Sequence, residues 1–219
     1  MESGRKILAI LGPTSAGKSA VAISLAKKFD GEVVSADSRQ IYRGMDIGTG
    51  KVPGAWNMEH GAFISECVTH HMIDIVSPRT DFSAAQFKKK ADKAIADILK
   101  RGKLPILCGG TGFWIKSVVD NITYPEVKPD KGLRKELQEE STEKLFSMLQ
   151  KMDPERARNI DRKNKVRLIR AIEICKAIGK VPEEKSDPQY QVLQIGVSVP
   201  KVKLHAKIKK RLNDRWRDG

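Results

Sequence analysis

The run Gly12-Pro13-Thr14-Ser15-Ala16-Gly17-Lys18-Ser19 constrains this chain more than any other segment. Its spacing is G-x-x-x-x-G-K-[ST], a pattern that works where a strand turns through glycines into a helix. Both neighbours are present. Residues 6–11, KILAIL, read as a short buried strand. From Lys18 to Phe29 apolar residues recur at helical spacing (Val21, Ala22, Leu25, Ala26, Phe29), and Gly31 lies just past the end. In such a loop successive backbone N–H groups point at one anion, and the positive end of the following helix adds to their field. Lys18 then supplies a point charge to the terminal phosphate, and Ser19 is placed to ligate Mg²⁺.

The remaining pattern predicts an α/β fold. EVVS (32–35), MIDIV (72–76), LPILC (104–108) and VLQIGVSV (192–199) read as strands, and residues 43–69 read as an irregular, glycine-rich loop or lid. Ser83-Ala-Ala-Gln86 is a capping box opening a helix with Phe87, Ala91, Ile95, Ile98 and Leu99 inside and Gly102 at its end. Strands alternating with helices imply a P-loop NTPase-like parallel sheet flanked by helices. After about Thr123 the pattern changes: residues 130–179 contain no strand pattern and read as three helices. Asp153-Pro154 suits one helix start, and Asn164 caps another whose apolar face is Val166, Ile169, Ile172 and Cys175, ending at Gly179. The expected organisation is therefore a core of 1–122, an all-helical insertion of 123–188, and a return strand with a basic helix in 189–219.

Charge narrows the partner. Lys and Arg number 41 against 27 acids, a net charge of +14. Eight of those cations fall within residues 201–217. Such a field attracts polyanions, and beside a phosphate loop it points to nucleic acid. No run approaches the ~18 apolar residues of a membrane span. Three widely spaced cysteines, Cys67, Cys108 and Cys175, suit reduced thiols in the cytoplasm.

The loop alone does not decide the reaction. A nucleotide-cleaving enzyme of this type has a strand ending in a magnesium-holding acid. LPILC ends in Gly109-Gly110-Thr111 instead, and Asp74 lies inside MIDIV. The same cradle would hold any diphosphate, including one leaving carbon. Strand EVVS runs into Ala36-Asp37-Ser38-Arg39-Gln40, and strand ends in such folds gather ligands, so Asp37 is a candidate general base facing the loop.

GPTSAGKS, SADSRQIYRGMDIGTGK, HHMIDIV, FSAAQF, LCGGTGFW and VRLIRAIEI stand in the order and rough spacing of the tRNA dimethylallyltransferase family, also called tRNA isopentenyltransferases. The resemblance runs from Ile7 to about Arg211. It implies that Gly12, Pro13, Thr14, Ser15, Ala16, Gly17, Lys18 and Ser19 hold the diphosphate of dimethylallyl diphosphate, with Mg²⁺ at Ser19. It implies that Asp37 takes the proton from the amine of the adenosine 3′ of the anticodon, with Lys18 and Thr111 as further catalytic residues. Contacts to tRNA are implied for Asp37, Ser38, Arg39, Gln40, Thr111, Arg134, Arg167 and Arg170. The enzyme is expected to be a cytoplasmic monomer with no membrane partner. The chain departs from the family in having Val166 where glutamine is usual and Gly50 where alanine is commoner. Family members continue for several tens of residues past the final basic helix, so part of the C-terminal region is expected to be missing here.

Three other readings are distinguishable: a small-molecule P-loop kinase, an isopentenyltransferase for free adenine nucleotides, and an RNA-binding module without catalysis. His70-His71 lacks a third metal ligand at suitable spacing and is read as structural. Phe113 and Trp114 are read as core, and Lys88-Lys89-Lys90 as a solvated helix face.

Overall fold

The computed structural model describes residues 5–59, 61–183 and 186–217. Contacts divide the chain into two compact units, Met1–Ile122 with Ser186–Gly219, and Thr123–Lys185.

The first unit is built on one seven-stranded sheet: β1 (Lys6–Leu11), β2 (Gly31–Ser35), β3 (Ala55–Asn57), β4 (Ala62–Ser65), β5 (Val68–His71), β6 (Leu104–Gly109) and β7 (Gln191–Gly196). The order is β3-β4-β5-β2-β6-β1-β7. Strands β5, β2, β6, β1 and β7 run parallel, and β3 and β4 extend the edge antiparallel. Alternation along β1 explains the layering. Ile7 and Ala9 join the cluster formed with Phe87, Ala91, Ile95 and Ile98 of α2 (Ala84–Lys100) and Trp114, Ile115 and Val118 of α3 (Gly112–Val119). Ile10, on the other face, packs with Ala22, Ile23 and Ala26 of α1 (Lys18–Lys28). Helices thus cover both faces, as a parallel sheet requires. Trp114 stacks on Phe87 with ring centroids 4.2 Å apart. The last element, α8 (Lys201–Arg217), turns Leu204, Arg211 and Arg215 partly inward, a 3.6-residue stripe. Among the described residues no helix is long and apolar enough to cross a membrane.

The capping box holds: Ser83 Oγ accepts from Gln86 N–H at 3.2 Å, and Gln86 Oε1 accepts from Ser83 N–H at 2.8 Å. Several expectations do not hold. MIDIV is not a strand. Met72 and Asp74 have φ of +65° and +56°, which breaks an extended run, and pairing with β2 is made instead by the preceding residues 68–71. Residues 43–69 are not wholly irregular, since they supply β3 and β4. Phe29 is exposed and Ile23 takes the inward place. Phe113 is exposed at the start of α3, and Lys88 is not simply solvated, being paired with Asp92 at 2.6 Å and Asn121 at 2.7 Å.

Among its described residues the second unit has four helices rather than three: α4 (Lys131–Glu139), α5 (Thr142–Met152), α6 (Pro154–Arg158) and α7 (Lys165–Ile178). Side chains of Asp130, Ser141, Asp153 and Asn164 cap them in turn. Leu137, Leu145, Leu149, Leu168 and Ile172 fill the core. Val166 is 74% exposed: the inward face of α7 is set by Leu168, Ile169, Ala171, Ile172 and Cys175.

Candidate active site

Three loops leave adjacent strand ends of the first unit. Leu11 of β1 pairs with Gly109 of β6, and Cys108 of β6 pairs with Ser35 of β2. The phosphate loop, the Gly109-Gly110-Thr111 segment and the Asp37 turn therefore emerge side by side, about 5 Å per strand apart. Close backbone approach makes glycine obligatory at two of these points. A Cβ on Gly12 (φ +150°) would lie 2.4 Å from Val197 O, and one on Gly109 would lie 2.1 Å from Ala36 O.

The loop is shaped for an anion. Gly17 precedes α1 in a left-handed conformation (φ +99°), and no side chain caps the helix, so its first N–H groups are left for a ligand. Ser15 Oγ is buried with no hydrogen-bond partner, an orphaned polar atom that an anion's oxygen would satisfy. Lys18 Nζ donates to Pro13 O at 2.8 Å and lies near Gly110, whose added Cβ would be 3.8 Å away. Burial lowers the Lys18 pKa below the ordinary lysine range; Cys108 and Asp37 oppose that shift and Arg211 reinforces it. Burial likewise pushes the Cys108 thiol up to about 12, so it stays protonated and is no nucleophile.

Asp37 and Lys18 thus lie within each other's field. Asp37 Oδ1 accepts from Arg39 N–H at 2.9 Å, which fixes the turn. Thr111 ties the turn to β6: its N–H donates to Ala36 O at 3.1 Å, and its Oγ1 accepts from Ser38 N–H at 3.1 Å and donates to Ser38 Oγ at 3.3 Å. Gln40 is held at both ends of its amide, Oε1 by Ser35 Oγ and Nε2 by Gly50 O, each at 3.0 Å. Arg39 is exposed. For a divalent cation the loop offers little beyond one hydroxyl, that of Ser19, and no group of three His, Cys, Asp or Glu side chains suited to a metal occurs among the described residues.

Asp74 does not serve as a strand-end acid: its Oδ1 accepts from Lys51 Nζ. Sequence reasoning missed Arg211. Its guanidinium reaches from α8 to Gly50, where an added Cβ would meet Nη1 at 2.9 Å, and its charge is felt at Lys18. The inward stripe of α8 was the available signal, hidden in a run of cations.

Arg134 and Arg170 belong to the second unit and converge on Glu173, which is 2% exposed. Glu173 accepts from Arg134 Nε at 2.9 Å and Nη2 at 2.8 Å, from Asp130 N–H at 2.6 Å, and from Arg170 Nη1. Burial would raise its carboxyl, but these donors bring it down to about 2. Arg170 Nη2 also donates to Val127 O at 2.9 Å. Arg167 is exposed in the first turn of α7. His71 Nε2 pairs with Glu32 Oε2 at 2.7 Å, and His70 is buried against Val68 O at 3.0 Å, so neither belongs to a metal group among the described residues.

Residues 40–219 match a family model described as IPP transferase, and residues 5–59 match one described as isopentenyl transferase. The chain is 44% identical to the tRNA dimethylallyltransferase of Leuconostoc citreum, over 98% of this chain and 70% of that one. It is similar to the crystal structure of the tRNA isopentenylpyrophosphate transferase of Bacillus halodurans (36% identity, TM-score 0.64, 98% of this chain and 67% of that one). It is also similar to a eukaryotic dimethylallyltransferase acting on tRNA (27% identity, TM-score 0.82, 98% and 53%). Across the bacterial relatives the chain spans about two thirds of their length, from 66% to 70%.

Proposed function

Since this chain belongs to the tRNA dimethylallyltransferase family, we propose that it transfers a dimethylallyl group from dimethylallyl diphosphate to the N6 amine of the adenosine 3′ of the anticodon in tRNA. The observation that carries the reading is the convergence, at neighbouring strand ends, of an anion loop bearing Lys18 and the turn bearing the Asp37 carboxylate, the latter tied to the end of β6 by Thr111.

The chemistry follows from that placement. The C1–O bond of the donor breaks with its electron pair on the diphosphate. Charge that builds there meets the loop N–H groups, Ser15, Lys18 and, from α8, Arg211. One preorganised donor of this kind is worth about 3–4 kcal/mol of barrier. Ser19 would hold Mg²⁺, which when bound adds neutralisation at the same oxygens. The adenine N6 is a poor nucleophile because its lone pair is delocalised into the ring. It forms the N–C1 bond as Asp37 accepts its proton, a step worth about 10²–10⁴-fold. The base must leave its stack to reach the cleft. Ser38, Arg39, Gln40 and Thr111 border the site on the acceptor side. Arg134, Arg167, Arg170 and the outward cations of α8 are assigned to the RNA backbone, consistent with the net charge of +14.

Nucleophile contact, leaving-group cradle and base all come from one chain, so a monomer suffices. Three free cysteines support a reducing, cytoplasmic setting. The kinase reading is disfavoured because β6 ends in Gly109-Gly110-Thr111 rather than an acid, and Asp74, which lies outside any strand, is engaged by Lys51. The test is direct. The purified chain is incubated with dimethylallyl diphosphate, Mg²⁺ and unmodified tRNA, with AMP and ATP as parallel substrates. A prenylated adenosine in the tRNA digest is the expected product. Prenylated AMP alone, or phosphate transfer from ATP, would replace this reading.

A further inference from the structure

We propose that Lys51 is a positioning residue that sets Gln40 and Arg211 at the cleft by locking the Gly50 peptide between them; this rests on the prenyl-transfer reading above. Lys51 closes the glycine-rich run 43–50, and its side chain is only 5% exposed. An ammonium has three N–H donors and no acceptor. All three are used: Tyr42 O at 2.8 Å, Asp46 Oδ1 at 2.6 Å, and Asp74 Oδ1.

These partners come from the start of the loop, its middle, and the 72–76 strap. A single cation therefore closes the loop on itself and fastens it to its support. The strap is in turn clamped to residues 40–43: Asp74 N–H donates to Gln40 O at 3.1 Å, Ile75 and Val76 N–H donate to Ile41 O at 2.9 and 3.0 Å, and Arg43 N–H donates to Val76 O at 2.9 Å. Asp74 sits at φ +56°, and its carboxylate meets the ammonium while its own N–H and those of Ile75 and Val76 pair with residues 40–41.

The residue held fast by this arrangement is Gly50. Its carbonyl accepts from Gln40 Nε2 at 3.0 Å, and the face of its Cα is covered by the Arg211 guanidinium. Gly50 sits at φ +72°, with no Cβ to push Arg211 aside. Displacing Lys51 would move an acceptor-side amide and a donor-side cation together, although Lys51 itself touches neither substrate in this scheme.

The test is a mutant cycle. Lys51→Met should lower kcat/KM about 10–100-fold, as coupling within one polar network commonly does. In a Gln40→Ala, Arg211→Ala background the same substitution should cost under about threefold, because the groups it positions are gone. Losses that multiply in that background would show that Lys51 acts independently of Gln40 and Arg211, and would overturn the proposal. Asp46→Asn weakens the same lock from a side chain that is 68% exposed, so folding is not at stake. It should give a smaller loss, about threefold to tenfold, that also vanishes in the double background. Hydrogen exchange of the amides of residues 42–50 provides a readout independent of catalysis. Both variants should speed it, with α1 unchanged. Unchanged exchange in both would refute the lock whatever the activity. If the wild-type chain makes no product but exchange rises as stated, the prenyl-transfer reading fails and the lock stands.

Discussion

Asp37→Asn isolates the carboxylate charge at almost constant shape. The amide oxygen that replaces Oδ1 can still accept from Arg39 N–H, the 2.9 Å bond that fixes the turn, so Thr111 and Ser38 should keep their places. Two things change. The proposed proton acceptor for the N6 amine is lost, and Lys18 loses a negative neighbour that now raises its pKa. Loss of a general base costs about 10²–10⁴-fold, or roughly 2.7–5.5 kcal/mol of barrier. Donor affinity should change by less than about threefold, since the loop N–H groups and Lys18 remain and the net charge near the diphosphate becomes more favourable. The assay is single-turnover transfer of a labelled dimethylallyl group to unmodified tRNA, with donor binding followed separately by calorimetry. A variant that keeps more than about a tenth of the wild-type rate would refute the assignment of Asp37 as base. So would a fall in donor affinity as large as the fall in rate, which would make the residue part of the diphosphate site.

Lys18→Met should weaken donor binding and slow transfer together, by about 10²-fold or more in kcat/KM, in the same assays. Gly109→Ala places a methyl 2.1 Å from Ala36 O, so it should separate β6 from the Asp37 turn, lower the melting temperature and abolish transfer; near-native values of both would show that the two segments can part freely. Glu173 has a folded pKa of about 2 against an ordinary 4.5, so its stabilising contribution is present above pH 4.5 and is lost as pH falls toward 2. Urea unfolding followed by circular dichroism should show that decline, and Glu173→Gln should remove part of it while costing about 1–3 kcal/mol at neutral pH, since Arg134 and Arg170 keep access to water.

Strong periodicity was legible. β1, β6, α2 and the caps at Ser83, Asp153 and Asn164 stand where spacing and capping chemistry place them, because burial and local hydrogen bonds act on the same residues. MIDIV misled because an apolar run carries no sign of backbone handedness, and two of its residues adopt positive φ. The β3–β4 hairpin has strands of three and four residues, too short for alternation to show. Val166 and Phe29 sit at helix ends, where a periodic stripe runs out over solvent. In the site, the loop and Asp37 were visible as motifs. The tie from Thr111 to Ser38, the seat of Arg211 on Gly50 and the pairing of Arg134 and Arg170 with Glu173 were not, since each depends on side chains meeting only in three dimensions.

The parallel pairing of β7 along β1, from Lys6 opposite Gln191 to Leu11 opposite Gly196, bears on how the enzyme is made. The outer flank of the strand that leads into the anion cradle, and the carbonyl of Val197 against which Gly12 packs, are synthesised more than 180 residues after that strand. Pairings of such long sequence separation form late, since loop closure must precede any reward. On the ribosome, β1 waits with one edge bare, an opportunity for mispairing that short strands limit. The completed form of the cradle should therefore arise abruptly, when the return segment docks, rather than accumulate as the amino-terminal half folds.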